Sequence, residues 1–304
     1  MIRNFDEIIT LAQDHQPIRV AVAAAEDPSV LKGIEMAKER GLIEPIFVGD
    51  KEKISEIIKA EGFNLMAGDD IVHVADEKQA CFKAIEIALA GKAEAVMKGK
   101  IDSGTFMSSA LNRKMGLRGN RLVSCVALLE DPQANRILYL TDPVLNLYPD
   151  LLEKAALIRN AVEFAKVMGI PKPKVAVISA VELINPNMPS TIDAACLGKM
   201  AERGQISDAI VDGPFALDTL FSYQAALRKK IEGPLAGDVD ILLAPNIETA
   251  NAIFKMWTHF TGYNAIGVSI GLKVQLIHLP RESPPEAKLI GIAATVLMLR
   301  NKRS

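Results

Sequence analysis

The chain has 304 residues, of which 49% are hydrophobic, 24% are charged and 5% are aromatic, and its formal net charge is −2. This length is comfortable for two domains, and the composition is that of an ordinary globular protein. A net charge so close to zero provides no global attraction for nucleic acid or for an anionic membrane, and few aromatic residues argue against a base-stacking surface. Any anionic ligand must therefore meet positive charge that is local.

The cysteines and the apolar runs predict the cellular setting. Cys81, Cys125 and Cys196 form no Cys-x-x-Cys pair and no zinc-binding spacing. Their odd number and the absence of a signal peptide predict a reducing, cytoplasmic environment. No apolar run reaches the ~18 residues of a membrane span. We therefore expect neither a membrane nor nucleic acid as a partner.

The first part of the chain alternates helices with short apolar strands. The predicted helices are 1–14, 26–40, 51–61 and 76–90, and the predicted strands are 18–25, 46–48, 71–74, 95–97, 122–129 and 136–141. Continuous apolar strands between helices predict a mostly parallel α/β sheet.

A second unit with the same alternation follows. Its predicted helices are 151–168, 189–203, 222–229 and 246–261, and its predicted strands are 174–180, 209–211, 240–244 and 265–269. A further strand at 275–278 leads to the last helix, 286–300, which we expect to pack on the first unit. The pattern predicts a first domain made of residues 1–137 and 270–304, a second domain (138–269) inserted into it, and a cleft between the two.

The segment KGKIDSGT, from Lys98 to Thr105, follows a predicted strand and contains Gly99 and Gly104 with four residues between them, as in a Walker A loop. However, Thr105 and Phe106 stand where that motif has Lys followed by Ser or Thr. The segment therefore predicts a phosphate-binding turn of another kind.

Small, hydroxyl and amide side chains follow six of the predicted strands. In open α/β sheets ligands bind beyond the carboxyl ends of strands, and such residues suit anions held by backbone N–H groups and helix N-termini. The same residue types are also the usual caps and turns. No histidine cluster for a metal and no Ser-His-Asp or Cys-His nucleophile is indicated. The predicted substrate-binding residues are Lys98, Gly99, Ser103, Thr105, Thr141, Asp142, Asn146, Asn185, Pro186, Thr191, Asp212, Gly213, Asn246, Asn251 and Ser283.

Several of these segments occur together in one known family. They are KGKIDSG (98–104), the loop 141–146, VAVISAVELINPNMPSTIDA (175–194), GQISDAIVDGP (204–214), DILLAPNIETAN (240–251) and PRESPPEAKL (280–289). Their order resembles that of phosphate acyltransferases, the phosphate acetyl/butyryltransferase family, and most closely its butyryl branch. The resemblance runs from about residue 18 to residue 299.

This resemblance implies a fold, an assembly and a reaction. The fold is the two-domain α/β fold of isocitrate and isopropylmalate dehydrogenases, with mostly parallel sheets and an interdomain cleft, usually as a homodimer. The reaction is acyl-CoA plus phosphate giving acyl phosphate plus CoA, by direct transfer in a ternary complex. CoA, acyl-CoA and phosphate are substrates. The resemblance implies no metal, no permanently bound cofactor and no covalent acyl-enzyme.

The resemblance also assigns a catalytic residue, Arg281, which matches the family's phosphate-binding arginine. An arginine fork suits phosphate better than a lysine point charge. Three departures from the family pattern concern the same chemistry. Pro280 replaces a serine, Ser103 keeps the hydroxyl of a threonine, and Ser108 stands where a basic residue is common. The base for the CoA thiol stays unassigned, although Glu286 is nearby in the sequence.

Alternative functions remain at this point. The acyl group is butyryl or another short chain in the first interpretation, and acetyl in the second, because one methylene provides only ~1–3 kcal/mol of discrimination. A dehydrogenase of the same architecture is disfavoured, since no metal-binding aspartate set and no nucleotide motif is recognisable. A non-catalytic regulator that binds CoA or phosphate is a further alternative, suggested by Pro280.

Overall fold

The structure is a computed structural model that describes residues 1–65, 70–280 and 282–301. Arg281, the predicted catalytic residue, lies outside the described residues. The chain divides into two compact units. The first unit consists of Phe5–Arg121 and Ile266–Ser304, and the second unit consists of Met1–Asn4 and Leu122–Ala265.

Helices and strands alternate along both units, as the sequence predicts. The α-helices are α1 (Phe5–Gln13), α2 (Pro28–Glu39), α3 (Lys51–Glu61), α4 (Glu77–Leu89), α5 (Ser103–Ala110), α6 (Leu151–Val167), α7 (Pro189–Glu202), α8 (Leu217–Phe221), α9 (Tyr223–Arg228), α10 (Ile247–Phe260) and α11 (Pro285–Asn301). The strands are β1 (Ile18–Ala23), β2 (Ile43–Gly49), β3 (Asp70–His73), β4 (Ala95–Lys98), β5 (Ser124–Asp131), β6 (Arg136–Thr141), β7 (Lys174–Ile178), β8 (Ile210–Phe215), β9 (Ile241–Leu243), β10 (Ala265–Ile270) and β11 (Gln275–Ile277).

The sheet of the first unit is parallel, with strand order β11-β4-β1-β2-β3. Its apolar strands are buried, and β1 exposes only Arg19. The connection from β1 leads to β2 on one side, whereas β4 and then β11 are added on the other side. The strand order therefore reverses between β1 and β4, which is where open α/β sheets bind ligands. Helix α11 packs against α1 and α2 of the first unit.

Five strands of the second unit follow the order β5-β6-β9-β7-β8. The pair β5–β6 is antiparallel, and the other pairs among these five are parallel. The core of this unit contains Leu138, Leu140, Ala176, Phe215 and Leu242. The chain is thus a mixed α/β protein with largely parallel sheets, as predicted.

The boundaries between the units differ from the prediction. The chain enters the second unit at Leu122 rather than at residue 138, and it leaves after Ala265 rather than after residue 269. At the entry, the predicted boundary at residue 138 would divide β6 and separate it from β5, with which it forms an antiparallel hairpin that places Val126 opposite Thr141. The first four residues also belong to the second unit, where the Ile2 amide donates to the Met168 carbonyl oxygen at 3.1 Å.

The described residues provide neither a membrane-spanning helix nor a cluster of metal ligands. None of their helices is both long and apolar enough to cross a membrane. Within the same residues, histidine, cysteine, aspartate and glutamate form no group that could hold a metal ion.

Candidate active site

Two buried lysines lie near the carboxyl edge of the first unit's sheet. Lys98 ends β4 and is 4% exposed, and its ammonium donates to the carbonyl oxygens of Gly99 at 3.3 Å and Ile101 at 3.1 Å. Lys288, in the first turn of α11, is 2% exposed. Its ammonium donates to Ser29 Oγ at 2.8 Å and to the Ser283 carbonyl oxygen at 2.5 Å. Buried ammonium groups are costly unless they are paired, so this edge is electrostatically unusual.

The pKa values of this edge reflect the burial and the mutual repulsion of its cations. Burial lowers the pKa of Lys288; the charge of Lys98 lowers it further, whereas that of Asp27 opposes the shift. Burial, with a smaller contribution from Lys98, lowers the pKa of His278 to about 4. His278 is therefore neutral near pH 7. The charge of Lys98 thus lowers the pKa of both His278 and Lys288.

The N-terminus of α2 adds a third source of positive potential. Asp27 caps this helix by accepting a hydrogen bond from the Val30 amide at 3.0 Å, and Pro28 takes the first helical position. Ser29, in the first turn, donates from its hydroxyl to the Ser283 carbonyl oxygen at 3.3 Å. Because a helix N-terminus carries partial positive charge, it adds to the potential of Lys98 and Lys288. We call Lys98, Lys288 and the α2 N-terminus the cationic edge; such an arrangement favours an anionic ligand.

The predicted phosphate-binding turn lies directly against β1. A Cβ on Gly99 would be 2.0 Å from the Ala24 carbonyl oxygen, so only glycine fits there. The Gly99 amide donates to the Ala23 carbonyl oxygen at 2.8 Å, and the Lys100 amide donates to that of Ala24 at 2.7 Å. Ala24 itself has a φ of +52°, which is uncommon for a residue other than glycine. Strained backbone of this kind is concentrated at functional sites.

Helix α5 begins at the end of the same turn. Asp102 accepts a hydrogen bond from the Thr105 amide at 2.8 Å and so caps the helix. Ser103 is the first helical residue and is exposed to solvent. The turn is thus a strand-to-helix connection that ends in an aspartate cap. Its Ser103 hydroxyl remains accessible.

His278 follows β11 and faces the same environment. Its ring stacks on Phe106, with ring centroids 5.9 Å apart and an interplanar angle of 5°. Its Nε2 atom is buried and makes no hydrogen bond to any residue that the structure describes. A neutral imidazole with an unsatisfied nitrogen is therefore held beside Lys98.

The predicted residues of the second unit form separate networks. At the end of β6, the buried carboxylate of Asp142 accepts hydrogen bonds from the amides of Cys125 at 3.0 Å and of Val144 and Leu145, both at 2.9 Å. The Asn146 side-chain amide donates to the same carboxylate at 2.6 Å. Burial raises the pKa of Asp142, and these four donors oppose the shift. Since all four partners are donors, the geometry suits the ionised carboxylate.

Three further predicted residues stabilise the same loop. The Thr141 hydroxyl is completely buried and donates to the Cys125 carbonyl oxygen at 3.2 Å. Asn146 also donates to the Val123 carbonyl oxygen at 3.0 Å, and the Asn251 side chain donates to that of Pro143 at 3.0 Å. The structure thus brings Thr141, Asp142, Asn146 and Asn251 together. In this arrangement their side chains bind the protein's own backbone.

The remaining predicted residues have local roles. The Thr191 hydroxyl accepts from the Asn185 amide at 2.9 Å and lies 3.0 Å from the Asn185 carbonyl oxygen, and the neighbouring Pro186 is exposed. Asn246 caps α10 through the Thr249 amide at 3.0 Å.

The Asp212 side chain accepts from the next amide, that of Gly213, at 2.8 Å. The peptide bond between Gly213 and Pro214 is cis.

The described residues that were predicted to bind substrate are divided between the two units. The first unit contains Lys98, Gly99, Ser103, Thr105 and Ser283, and the second unit contains the others.

Sequence reasoning missed Lys288 and Ser29, although a signal for Lys288 was present. Between Ala287 and Leu299 it is the only charged residue. A helix that is apolar all round is a buried helix, so a lysine in it must be buried as well. No comparable signal exists for Ser29, whose hydroxyl follows a helix cap and looks like part of an ordinary helix start.

Comparison with known proteins identifies the family. The profile of the family described as "Phosphate acetyl/butaryl transferase" matches residues 72–281, which is more than half of the chain. The chain belongs to this family. The resemblance found from the sequence motifs is thereby confirmed.

Members of the phosphate acetyl/butyryltransferase family match over nearly the whole chain. The phosphate butyryltransferase of Clostridium acetobutylicum is 42% identical over 302 residues, covering 99% of this chain and 100% of that protein. The phosphate acetyltransferase of Thermotoga maritima is 37% identical over 279 residues, covering 92% of this chain and 94% of that protein. The crystal structure of a branched-chain phosphotransacylase from Enterococcus faecalis V583 superimposes with a TM-score of 0.78 at 28% identity, covering 92% of this chain and 99% of that one.

Proposed function

We propose that the chain transfers a short acyl group between CoA and inorganic phosphate, with butyryl-CoA or another short-chain acyl-CoA as the preferred substrate. The observation that carries this proposal is the cationic edge, where the two buried ammonium groups of Lys98 and Lys288 lie near the N-terminus of α2. Family membership supports the same chemistry.

The transfer is direct, within a ternary complex. A phosphate oxygen attacks the thioester carbonyl carbon, the carbonyl oxygen becomes negative, and the carbon–sulfur bond then breaks to release the CoA thiolate. Thioester and acyl phosphate are both activated, so the protein does not have to supply a nucleophile. It must hold phosphate against the carbonyl carbon and stabilise the negative charge that develops.

The proposal assigns phosphate binding and charge stabilisation to particular residues. Arg281, assigned by the family resemblance, binds phosphate through two parallel hydrogen bonds. Lys98 and the α2 N-terminus provide a fixed positive potential, and Ser103 offers an accessible hydroxyl at the start of α5. In the second unit Asn185 and Pro186, which are exposed, remain proposed substrate-binding residues, whereas Asp142 and Asn146 hold the loop that follows β6.

The proposal also covers the detailed fold, the assembly, the cellular location and the cofactor requirement. They are the isocitrate/isopropylmalate dehydrogenase-like form of the two-domain fold, the homodimer, the cytoplasmic location and the independence from a bound cofactor or metal. Their support is the resemblance to the phosphate acetyl/butyryltransferase family.

A panel of acyl-CoAs tests the proposal. The purified chain is assayed with acetyl-, propionyl-, butyryl-, isobutyryl- and valeryl-CoA, with and without phosphate, and thiol release is measured. We expect release that requires phosphate, or arsenate in its place, and the highest kcat/KM for a four-carbon substrate. Adjacent chain lengths should differ by roughly 10- to 200-fold, since one methylene provides ~1–3 kcal/mol.

Two other outcomes would change the conclusion. A clear preference for acetyl-CoA would make the chain a phosphate acetyltransferase, the second candidate, which the 37% identical relative from Thermotoga maritima favours. Saturable binding of CoA or phosphate with no thiol release from any substrate would refute the enzyme and favour a non-catalytic regulator.

A further inference from the structure

We propose that Lys288 is a positioning residue for the transfer reaction: its ammonium fixes the segment 280–284, which includes Arg281, to the N-terminus of α2. The inference rests on the proposed function. It concerns a residue that the sequence motifs contain but to which they assign no role.

The contacts of Lys288 join three parts of the first unit. The ammonium donates to Ser29 Oγ at 2.8 Å and to the Ser283 carbonyl oxygen at 2.5 Å. The Ser29 hydroxyl donates in turn to the same Ser283 carbonyl oxygen at 3.3 Å. Ser29 and Lys288 are 259 positions apart in the chain. The three groups therefore form a closed triangle of hydrogen bonds between α2, α11 and the segment that precedes α11.

The aliphatic part of the Lys288 side chain is tightly packed against α2. A Cβ on Gly33 of α2 would lie 2.8 Å from the Lys288 Cβ and 3.1 Å from the Pro285 carbonyl oxygen. Glycine at this position lets α2 and α11 approach closely enough for the ammonium to reach Ser29. Packing of the aliphatic chain and hydrogen bonding of the ammonium therefore both restrict the Lys288 side chain.

Stability alone does not explain a lysine at this position. Its ammonium lies at the positive end of α2 and interacts unfavourably with Lys98, and burial lowers its pKa. The charges that favour it are Asp27, Glu282 and Glu286. Replacing a buried charge by an apolar side chain of similar volume is often neutral or stabilising. The lysine is therefore better explained by what it fixes.

The segment that Lys288 fixes includes Arg281, the predicted phosphate-binding residue. Arg281 is two residues from Ser283, whose carbonyl oxygen accepts both hydrogen bonds. The Ser283 amide also donates to the Pro280 carbonyl oxygen at 3.2 Å, so Lys288 is connected through Ser283 to Pro280. Pro280 stands where the family has a serine, so that hydroxyl cannot help to hold this segment. Positioning errors of about 1 Å can cost roughly a hundredfold in rate.

The test compares Lys288→Met with Lys154→Met. Methionine keeps much of the stem and removes the ammonium. Lys154 is the matched control because it is also buried, at 6% exposed, and is paired with Asp193 in the second unit. Each variant is assayed well below its own Tm. We expect Lys288→Met to lose roughly ten- to a hundredfold in kcat and to raise the KM for phosphate, with an unchanged KM for acyl-CoA. Lys154→Met should keep the wild-type kcat and both KM values.

A second measurement separates positioning from a general loss of stability. Amide hydrogen exchange of peptides that cover 279–287 should accelerate in Lys288→Met and stay at the wild-type rate in Lys154→Met. Ser29→Ala, a milder change, should shift both readouts in the same direction but less. Its effect should not add to that of Lys288→Met, because the two side chains share one network.

The outcomes that contradict the inference are distinct from those that contradict the proposed function. A Lys288→Met enzyme with wild-type kcat and phosphate KM would overturn the inference, as would a slower enzyme whose exchange at 279–287 is unchanged. Wild-type protein that releases no CoA from any acyl-CoA would refute the proposed function itself. Exchange at 279–287 would then still show whether Lys288 fixes the segment.

Discussion

Gly99 lies so close to Ala24 that a Cβ at this position would be 2.0 Å from the Ala24 carbonyl oxygen. The atoms that would collide with this Cβ belong to the backbone, and the Ala23 carbonyl oxygen would also be only 2.6 Å away. No side-chain rotation can relieve such a contact. The end of β4 and the turn that follows it therefore depend on the absence of a side chain at residue 99.

We accordingly predict that Gly99→Ala destabilises the fold by roughly 1–3 kcal/mol or more, as overpacking does, and displaces Lys98. Chemical denaturation measures the first effect, and phosphate-dependent thiol release measures the second. Gly119→Ala is the matched control in the same unit, since its nearest neighbour, the Gly271 carbonyl oxygen, would be at an ordinary 3.6 Å. Equal stability of the two variants would show that the β1–β4 approach adapts.

The hydrogen-bond network around Asp142 predicts that replacing a single carboxylate oxygen destabilises the fold. Asp142→Asn replaces one carboxylate oxygen by an NH2 group, which would face the Cys125 amide and the Asn146 side-chain amide, both of which are donors. Donors that lose their acceptor in a buried site cost about 1–3 kcal/mol, so we expect destabilisation of that size. Urea denaturation is the measurement. Asp131→Asn, in the same hairpin but partly exposed, should cost clearly less.

His278 predicts a pH dependence of stability. Burial lowers its pKa from the usual 6.5 to about 4, so between these values the unfolded chain binds a proton that the folded chain does not. Stability contributed by the neutral imidazole is therefore present above pH 6.5 and is lost as the pH falls towards 4. Between pH 7 and pH 5 this loss amounts to about 2 kcal/mol.

Replacing the imidazole isolates this contribution. His278→Phe keeps a ring that can stack on Phe106 and should remove most of that pH dependence. Denaturation at pH 7 and pH 5 gives the comparison, with His259→Phe, on the exposed side of α10, as the control. If His278→Phe loses as much stability as the wild type on acidification, another group is responsible.

Arg281 predicts a specific kinetic pattern. Arg281→Ala should lose roughly a hundred- to thousandfold in rate, the usual effect of removing one preorganised group that stabilises developing charge. The KM for phosphate should rise more than that for acyl-CoA. Arg281→Lys should recover only part of the rate, because lysine cannot make the paired contact. An Arg281→Ala enzyme with near-normal kcat and an unchanged phosphate KM would redirect attention to Lys98 or Lys100.

The local patterns of the sequence determined most of the secondary structure and the family. Continuous apolar strands between helices predicted the parallel α/β sheets, because burial on both faces leaves a signal in consecutive residues. The motif order around 98–104, 240–251 and 280–289 was sufficient for the family, since such motifs are contiguous.

The same patterns could not separate ligand-binding side chains from structural ones. Asn246 caps α10 and Asp102 caps α5, and a cap uses the same oxygen chemistry that would bind a substrate donor. Sequence reasoning also placed the domain boundary at 138 rather than 122. Membership in a sheet depends on which strand supplies the hydrogen bonds, and β5 takes them from β6.

Only the tertiary structure brought Lys98, Lys288, Ser29 and Ser283 to one edge of the first unit. Ser29 and Lys288 are 259 positions apart, and no periodicity or motif connects residues at that distance. Their meeting follows from parallel strand order, which gathers carboxyl ends from remote segments, and from the packing of α11 on α2. Local sequence can specify a helix or a turn, whereas the electrostatic environment of a buried lysine is set by the segments that fold against it.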